Sequence, residues 1–213
     1  MFLSRSNKKK PRRPVIVVSG LPRSGTSMMM KMLVEGGAQV ISDGVREKDS
    51  DNPNGYFELE RVKQLPRGDF AWLEDAKGRV VKVVSSLLEH LPSRYSYKII
   101  FMEREIMEVL ASQRKMLANR NKSNPVEDER MKEEFQDHLL AVRAWLARQP
   151  NMDVLYVNFN SLMSDPAPLC SRIAEFLEMP LDTALMLEVP NQDLYRNRAP
   201  VKSASPGLQR QTG

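Results

Sequence analysis

The 213-residue chain suits one domain with a sizeable core, and its 41% hydrophobic and 28% charged residues match a soluble globular protein. No apolar run nears the roughly 18 to 20 residues that span a bilayer, and the basic residues of 1–13 lack an apolar stretch behind them, which speaks against a secretory signal. The single cysteine, Cys170, excludes an internal disulfide and makes a reducing cytoplasm the expected setting.

The formal charge of +5 sits at the ends. Arg5, Lys8, Lys9, Lys10, Arg12 and Arg13 crowd residues 1–13, while Arg196, Arg198, Lys202 and Arg210 fall in 196–213, with no acid in either segment. Nothing aromatic or helical accompanies them. They read as solvated ends, a basic flexible arm over 1–13 and a flexible tail over 199–213, in preference to a nucleic-acid surface. Residues 14–198 between them form the expected domain.

In chain order, Val15–Val18 reads as a buried parallel strand, followed by a turn from Gly20 to Gly25 and an apolar helix over Thr26–Glu35. Met28, Met29, Met30 and Met32 on that helix are expected to be adaptable core packing. Ala38–Ile41 is a weaker strand candidate, and residues 42–56 are dense in turn formers, suited to shaping an acceptor pocket. Val80–Val84 and Lys98–Met102 are further strands, with a short helix over Ser85–Leu91 between them. Helices over Glu105–Ala118 and Val126–Arg148 flank a polar connection at 119–125, of the kind that forms a lid. Val154–Val157 is the last strand, and Pro168–Leu177 the last helix, carrying Cys170 as a core filler. Alternating strands and helices predict an α/β, three-layer P-loop NTPase-like fold, its parallel sheet of about four to five strands flanked by helices.

The turn after the first strand is the chemical centre of the sequence. Strand, glycine-bounded loop and helix start make an anion cradle of backbone N–H groups and a positive helix end. A nucleoside-triphosphate loop reads G-x-x-x-x-G-K-[ST]. Here Gly20, Gly25 and Ser27 keep the spacing, but Thr26 stands in place of the lysine, and the loop's cation is Arg23. Arg23, Ser24, Gly25, Thr26 and Ser27 resemble the 5′-phosphosulfate loop of sulfotransferases that use 3′-phosphoadenosine 5′-phosphosulfate (PAPS) as donor and release 3′,5′-adenosine bisphosphate (PAP). The resemblance runs over roughly residues 14–198. It implies sulfuryl transfer to a hydroxyl or amine acceptor, a small molecule or a glycan or peptide. A nucleotide or small-molecule kinase is the rival enzyme, and a bisphosphate-binding protein without catalysis the rival outside enzymes.

The resemblance also implies a second anion site. Arg104, at a strand end, precedes Ser112 by the family's eight residues and is expected to bind the 3′-phosphate with it; a surface ion pair of Arg104 with Glu108 is the plain alternative. Glu105 and Ile106 replace the Asp or Asn and Pro that relatives often carry there. Arg198, in a basic stretch from Tyr195, is similar to the family's C-terminal contribution to that site. Lys82 corresponds to a lysine that helps neutralise the sulfuryl group. The catalytic histidine that many relatives place two residues later is Val84 here. Other relatives use a glutamate base. Among Asp43, Glu47 and Glu58, Glu58 is the preferred base, because a carboxylate beside Tyr56 and Phe57 would be desolvated and its pKa raised. His138 reads as a helix-surface or packing residue and His90 as a cation at a helix end. Asn160 stands where relatives commonly carry an acid and keeps the option of helix capping. No Cys/His cluster calls for a metal, and the loop does not require magnesium.

Overall fold

The computed structural model describes residues 13–45, 55–119 and 127–190. Four strands, β1 (Val15–Gly20), β2 (Val80–Lys82), β3 (Tyr97–Glu103) and β4 (Met152–Asn158), form one parallel sheet in the order β2-β1-β3-β4. β1 is buried along its whole length because β2 and β3 pair with its two edges while other elements cover its two faces. This is why its sequence is a continuous apolar run and not an alternating one.

The two faces of the sheet carry separate cores. Ile16 and Val18 of β1 point into one, with Ile100 and Met102 of β3 and Val157 of β4. There they meet Met28, Met29, Met30, Met32 and Leu33 of α1 (Thr26–Glu35), Leu162 and Met163 of α4 (Phe159–Ser164), Cys170, Ile173 and Leu177 of α5 (Pro166–Leu177), and Met186 of α6 (Thr183–Leu187). Val15, Val17, Val81, Val83, Ile99 and Phe101 point the other way, toward Val62, Leu65, Trp72, Leu73 and Leu88 of short 3-10 turns and Leu146 of α3 (Asp128–Leu146). Each such side chain contributes roughly 1.5–3 kcal/mol when fully buried. Cys170 is buried in the first core, and that burial pushes its thiol pKa up.

The sheet has four strands and not five. Ala38–Ile41 makes one isolated bridge, Val40 with Val80, before the chain turns into the polar segment from Ser42. The segment after β2 is a 3-10 helix over Ser85–His90, shorter and tighter than an α-helix. A 3-10 helix at Glu60–Arg67 carries no apolar periodicity long enough to announce it, and Pro66 sits inside it. At the end of β4 the cap of α4 is Asn158, whose side chain accepts from the Ser161 N–H at 2.8 Å. Asn160 is therefore not the cap; it lies inside α4 and reaches another element.

Because β1, β2 and β3 run parallel, their carboxyl ends finish on one side of the sheet. Gly20, Lys82 and Glu103 end these strands, and the turn into α1 and the start of α2 (Ile106–Asn119) follow directly.

A glycine cradle with two arginines at the carboxyl edge

The cradle is built by two glycines that nothing larger can replace. Gly20 has φ +143°, and a Cβ there would lie 2.6 Å from the Met102 carbonyl and from the Ser24 hydroxyl. Gly25 has φ +101°, and a Cβ there would collide with the Phe159 ring. Between them Arg23 takes the left-handed region at φ +73°, a conformation that costs a non-glycine residue of order 1–3 kcal/mol. The Ser24 N–H bonds the Leu21 carbonyl at 3.1 Å and its hydroxyl is buried against Gly20, so Ser24 closes the turn from within. α1 then starts with no acidic residue in its first turn, leaving the positive helix end uncompensated by its own side chains.

Tertiary contacts aim the side chain of Arg23. Its Nε donates to Ser112 Oγ at 3.0 Å, and its carbonyl accepts from a terminal nitrogen of Arg104 at 3.3 Å. The cradle arginine thus touches both Arg104 and Ser112, the second expected anion pair. Besides the Arg23 carbonyl, two groups hold Arg104: its Nε donates to Glu108 at 2.9 Å, and its guanidinium lies 4.2 Å over the Phe159 ring; Glu108 in turn accepts from the Asn160 amide at 3.0 Å. The ion pair with Glu108 does form, but at 8% and 2% side-chain exposure it is buried and not a surface pair. Desolvation makes such geometry decisive: breaking a buried pair costs on the order of 3–5 kcal/mol.

Lys82 enters from β2. Its ammonium donates to Ser27 Oγ at 3.1 Å and to the Tyr56 carbonyl at 2.7 Å, tying the start of α1 to the segment around Tyr56. Glu58 lies two residues beyond Tyr56, half-buried, with its carbonyl accepting from the Asp43 N–H at 3.1 Å. Asp43 has a different task. Its carboxylate takes the N–H of Glu60 at 2.6 Å and of Val45 at 3.1 Å, and these bonds hold its pKa below the ordinary carboxyl value. A carboxylate so occupied is a loop clamp and a poor proton acceptor. Glu47, Arg198 and most of the 119–125 connection lie outside the described residues.

The histidines part company. His90, at the far end of the Ser85–His90 turn, has 36% side-chain exposure and faces Glu89 at 3.7 Å. His138 is half-buried, with Nε2 2.8 Å from the Ser85 hydroxyl, so it fastens α3 to the turn that follows β2. The sequence held no sign of that pair, whose members are 53 residues apart. In the sequence Asn160 reads as a departure with a capping option and Phe159 carries no signal, yet this aromatic residue at the start of α4 walls the cradle. Among the described residues no group of three or more His, Cys, Asp or Glu is arranged to hold a metal ion, and no helix is long and apolar enough to cross a membrane.

A sequence profile for the sulfotransferase domain matches residues 13–197. No curated protein sequence matches the chain significantly. A mouse sulfotransferase complexed with PAP superposes with a TM-score of 0.57 at 16% identity, over 88% of this chain and 68% of its own, so the two share a fold. Sulfotransferase domains from the curacin biosynthetic pathway and from the olefin synthase of Synechococcus PCC 7002 align with TM-scores of 0.49 each. Their identities are 14% and 17%, over 85% and 90% of this chain and 79% and 85% of theirs.

Proposed function

The chain belongs to the sulfotransferase domain family and transfers sulfuryl groups, and from that premise we propose that its donor is PAPS and its acceptor a hydroxyl or amine. The observation that carries the donor assignment is the contact of Arg23 with both Arg104 and Ser112. The Arg104 guanidinium reaches the backbone carbonyl of Arg23, whose own Nε holds Ser112, beside a glycine cradle in which added Cβ atoms would collide. A nucleotide with one anionic group at its 5′ end and another at the 3′ position fits that pairing of cations. The same chemistry disfavours a kinase, because Thr26 occupies the position of the lysine that reaches the β- and γ-phosphates.

When bound, the donor supplies the sulfuryl group and a bisphosphate leaving group. The chain's own residues hold and neutralise. Arg23, the N–H groups at the start of α1 and the Thr26 and Ser27 hydroxyls bind the 5′ end, with Ser24 shaping the turn under them. Arg104 and Ser112 bind the 3′-phosphate, with Arg198 as a further cation for it. Lys82 stands beside Ser27, where it offsets charge that builds on the moving group. Glu58, next to the segment that Lys82 grips, takes the acceptor proton. With its single cysteine the protein suits the cytoplasm, where we place the reaction.

Titration calorimetry with PAP and with ATP tests the donor, and labelled PAPS offered with phenols, alcohols, sugars and amines tests the transfer. PAP is expected to bind without metal, and at least one acceptor class to become labelled. ATP binding of equal strength that depends on Mg²⁺ would overturn the donor assignment. Tight PAP binding with no transfer to any acceptor class would favour a bisphosphate-binding protein. Glu58→Gln is expected to lower kcat by 10²-fold or more, roughly what a lost general base costs, with PAP affinity unchanged.

A further inference from the structure

Resting on the donor reading above, we propose that Glu108 is the positioning residue that makes this site select a 3′-phosphate. Glu108 is 2% exposed, yet it is an acid inside an anion site, where a carboxylate opposes the ligand unless it has work to do. Its contacts define the work. One oxygen accepts from Arg104 Nε at 2.9 Å and the other from the Asn160 amide at 3.0 Å. The guanidinium is further confined by the Phe159 ring at 4.2 Å and by the Arg23 carbonyl at 3.3 Å. Arginine otherwise has many rotamers, and ordering it on ligand arrival would cost affinity; here the cost is met during folding.

The frame also accounts for the amide at position 160. An acid at position 160 would face the Glu108 carboxylate, and like charges so close and so buried disfavour ionisation of one of them. The amide of Asn160 donates instead. Phe159, its neighbour at the start of α4, packs on Arg104 with one face of the same short element that walls Gly25. The β4–α4 junction, contributing no cation, thereby sets the direction of the cation supplied by the β3–α2 junction.

The test compares PAP with 5′-AMP, which lacks the 3′-phosphate, by calorimetry on the wild-type chain, Glu108→Ala, Glu108→Gln and Asn160→Ala. Glu108→Ala is expected to lose at least about tenfold in PAP affinity, the scale of one charge-assisted hydrogen bond, while AMP affinity holds. Glu108→Gln restores most of the loss, because its oxygen can accept from Arg104 and its NH₂ can donate to a reoriented Asn160 amide. Asn160→Ala lowers the PAP-to-AMP ratio by roughly threefold, about half that energy. An unchanged ratio in Glu108→Ala, or an equal loss for both nucleotides, overturns the positioning role. Should Glu108→Ala fail to fold, an unchanged ratio in Asn160→Ala overturns it instead. A wild-type chain that binds AMP as well as PAP would overturn the donor reading itself, and this role with it.

Discussion

Arg23 carries two demands that a lysine would meet poorly. Its Nε bonds Ser112 while its backbone, at φ +73°, presents a carbonyl to Arg104. A planar fork can keep one N–H on the serine and turn others to a ligand, whereas an ammonium offers a point charge. Arg23→Lys is therefore expected to weaken PAP binding about tenfold, and Arg23→Ala further, both read by calorimetry. In the proposed reaction Lys82 serves a different step. Its ammonium donates to Ser27, at the start of α1, and to the Tyr56 carbonyl. Lys82→Ala should lower kcat by about 10²-fold, the cost of removing one preorganised donor, and leave the PAP dissociation constant within about twofold. A large loss of PAP affinity would move Lys82 from charge offset to donor binding.

At the scale of elements, the cradle depends on α4 as much as on its own loop. Gly25→Ala would force the Phe159 ring off its seat and strain a positive φ, at roughly 1–3 kcal/mol for the backbone alone. The expected result is a Tm several degrees lower together with lost PAP binding, because Phe159 also confines Arg104. Retained PAP affinity would show that the ring is incidental to the site. The contact of Asp43 with the segment around Glu60 is a clamp with its own pH dependence. The N–H of Glu60, and then that of Val45, favour the Asp43 carboxylate and depress its pKa below the ordinary 3.8. A depressed acid stabilises fully above its unfolded value and ceases to as pH falls through its lower folded value. Amide exchange at Val45 and Glu60, corrected for intrinsic pH effects, should accelerate only below about pH 4 in the native chain. In Asp43→Asn it should be faster throughout, with no such step. His138 and Ser85 make another such tie, one hydrogen bond seating α3 against the turn after β2.

For the molecule as a whole, a ligand that bonds both the β1–α1 and β3–α2 junctions should stabilise the fold that brings them together. PAP at 100 times its dissociation constant is expected to add about 2.7 kcal/mol, seen as a Tm increase of several degrees. AMP should give less at equal concentration and magnesium should be unnecessary. A shift that appears only with Mg²⁺ and ATP would contradict this.

Much of that architecture was legible along the chain, because strand burial and helix periodicity are local patterns. β1 and α1 follow from an apolar run, a glycine-bounded turn and a helix of the right length, and the cradle motif carried the resemblance to sulfotransferases. Only that resemblance singled out Arg104 and Ser112, both of which the structure brings to Arg23. Ala38–Ile41 misled because β propensity says what a segment can do, not whether a neighbour's edge is available to it; one bridge to Val80 is all the sheet offers.

Local pattern determined which residues carry charge, which are apolar, and that a glycine-bounded turn joins the first strand to the first helix. Tertiary structure alone decided that Arg23 leans on Ser112, that Glu108 and Asn160 aim Arg104, that Phe159 walls Gly25, and that Asp43 is spent on backbone amides. The reason is that a side chain's direction is set by whatever lies across from it after folding, and those partners are up to 89 residues away along the chain.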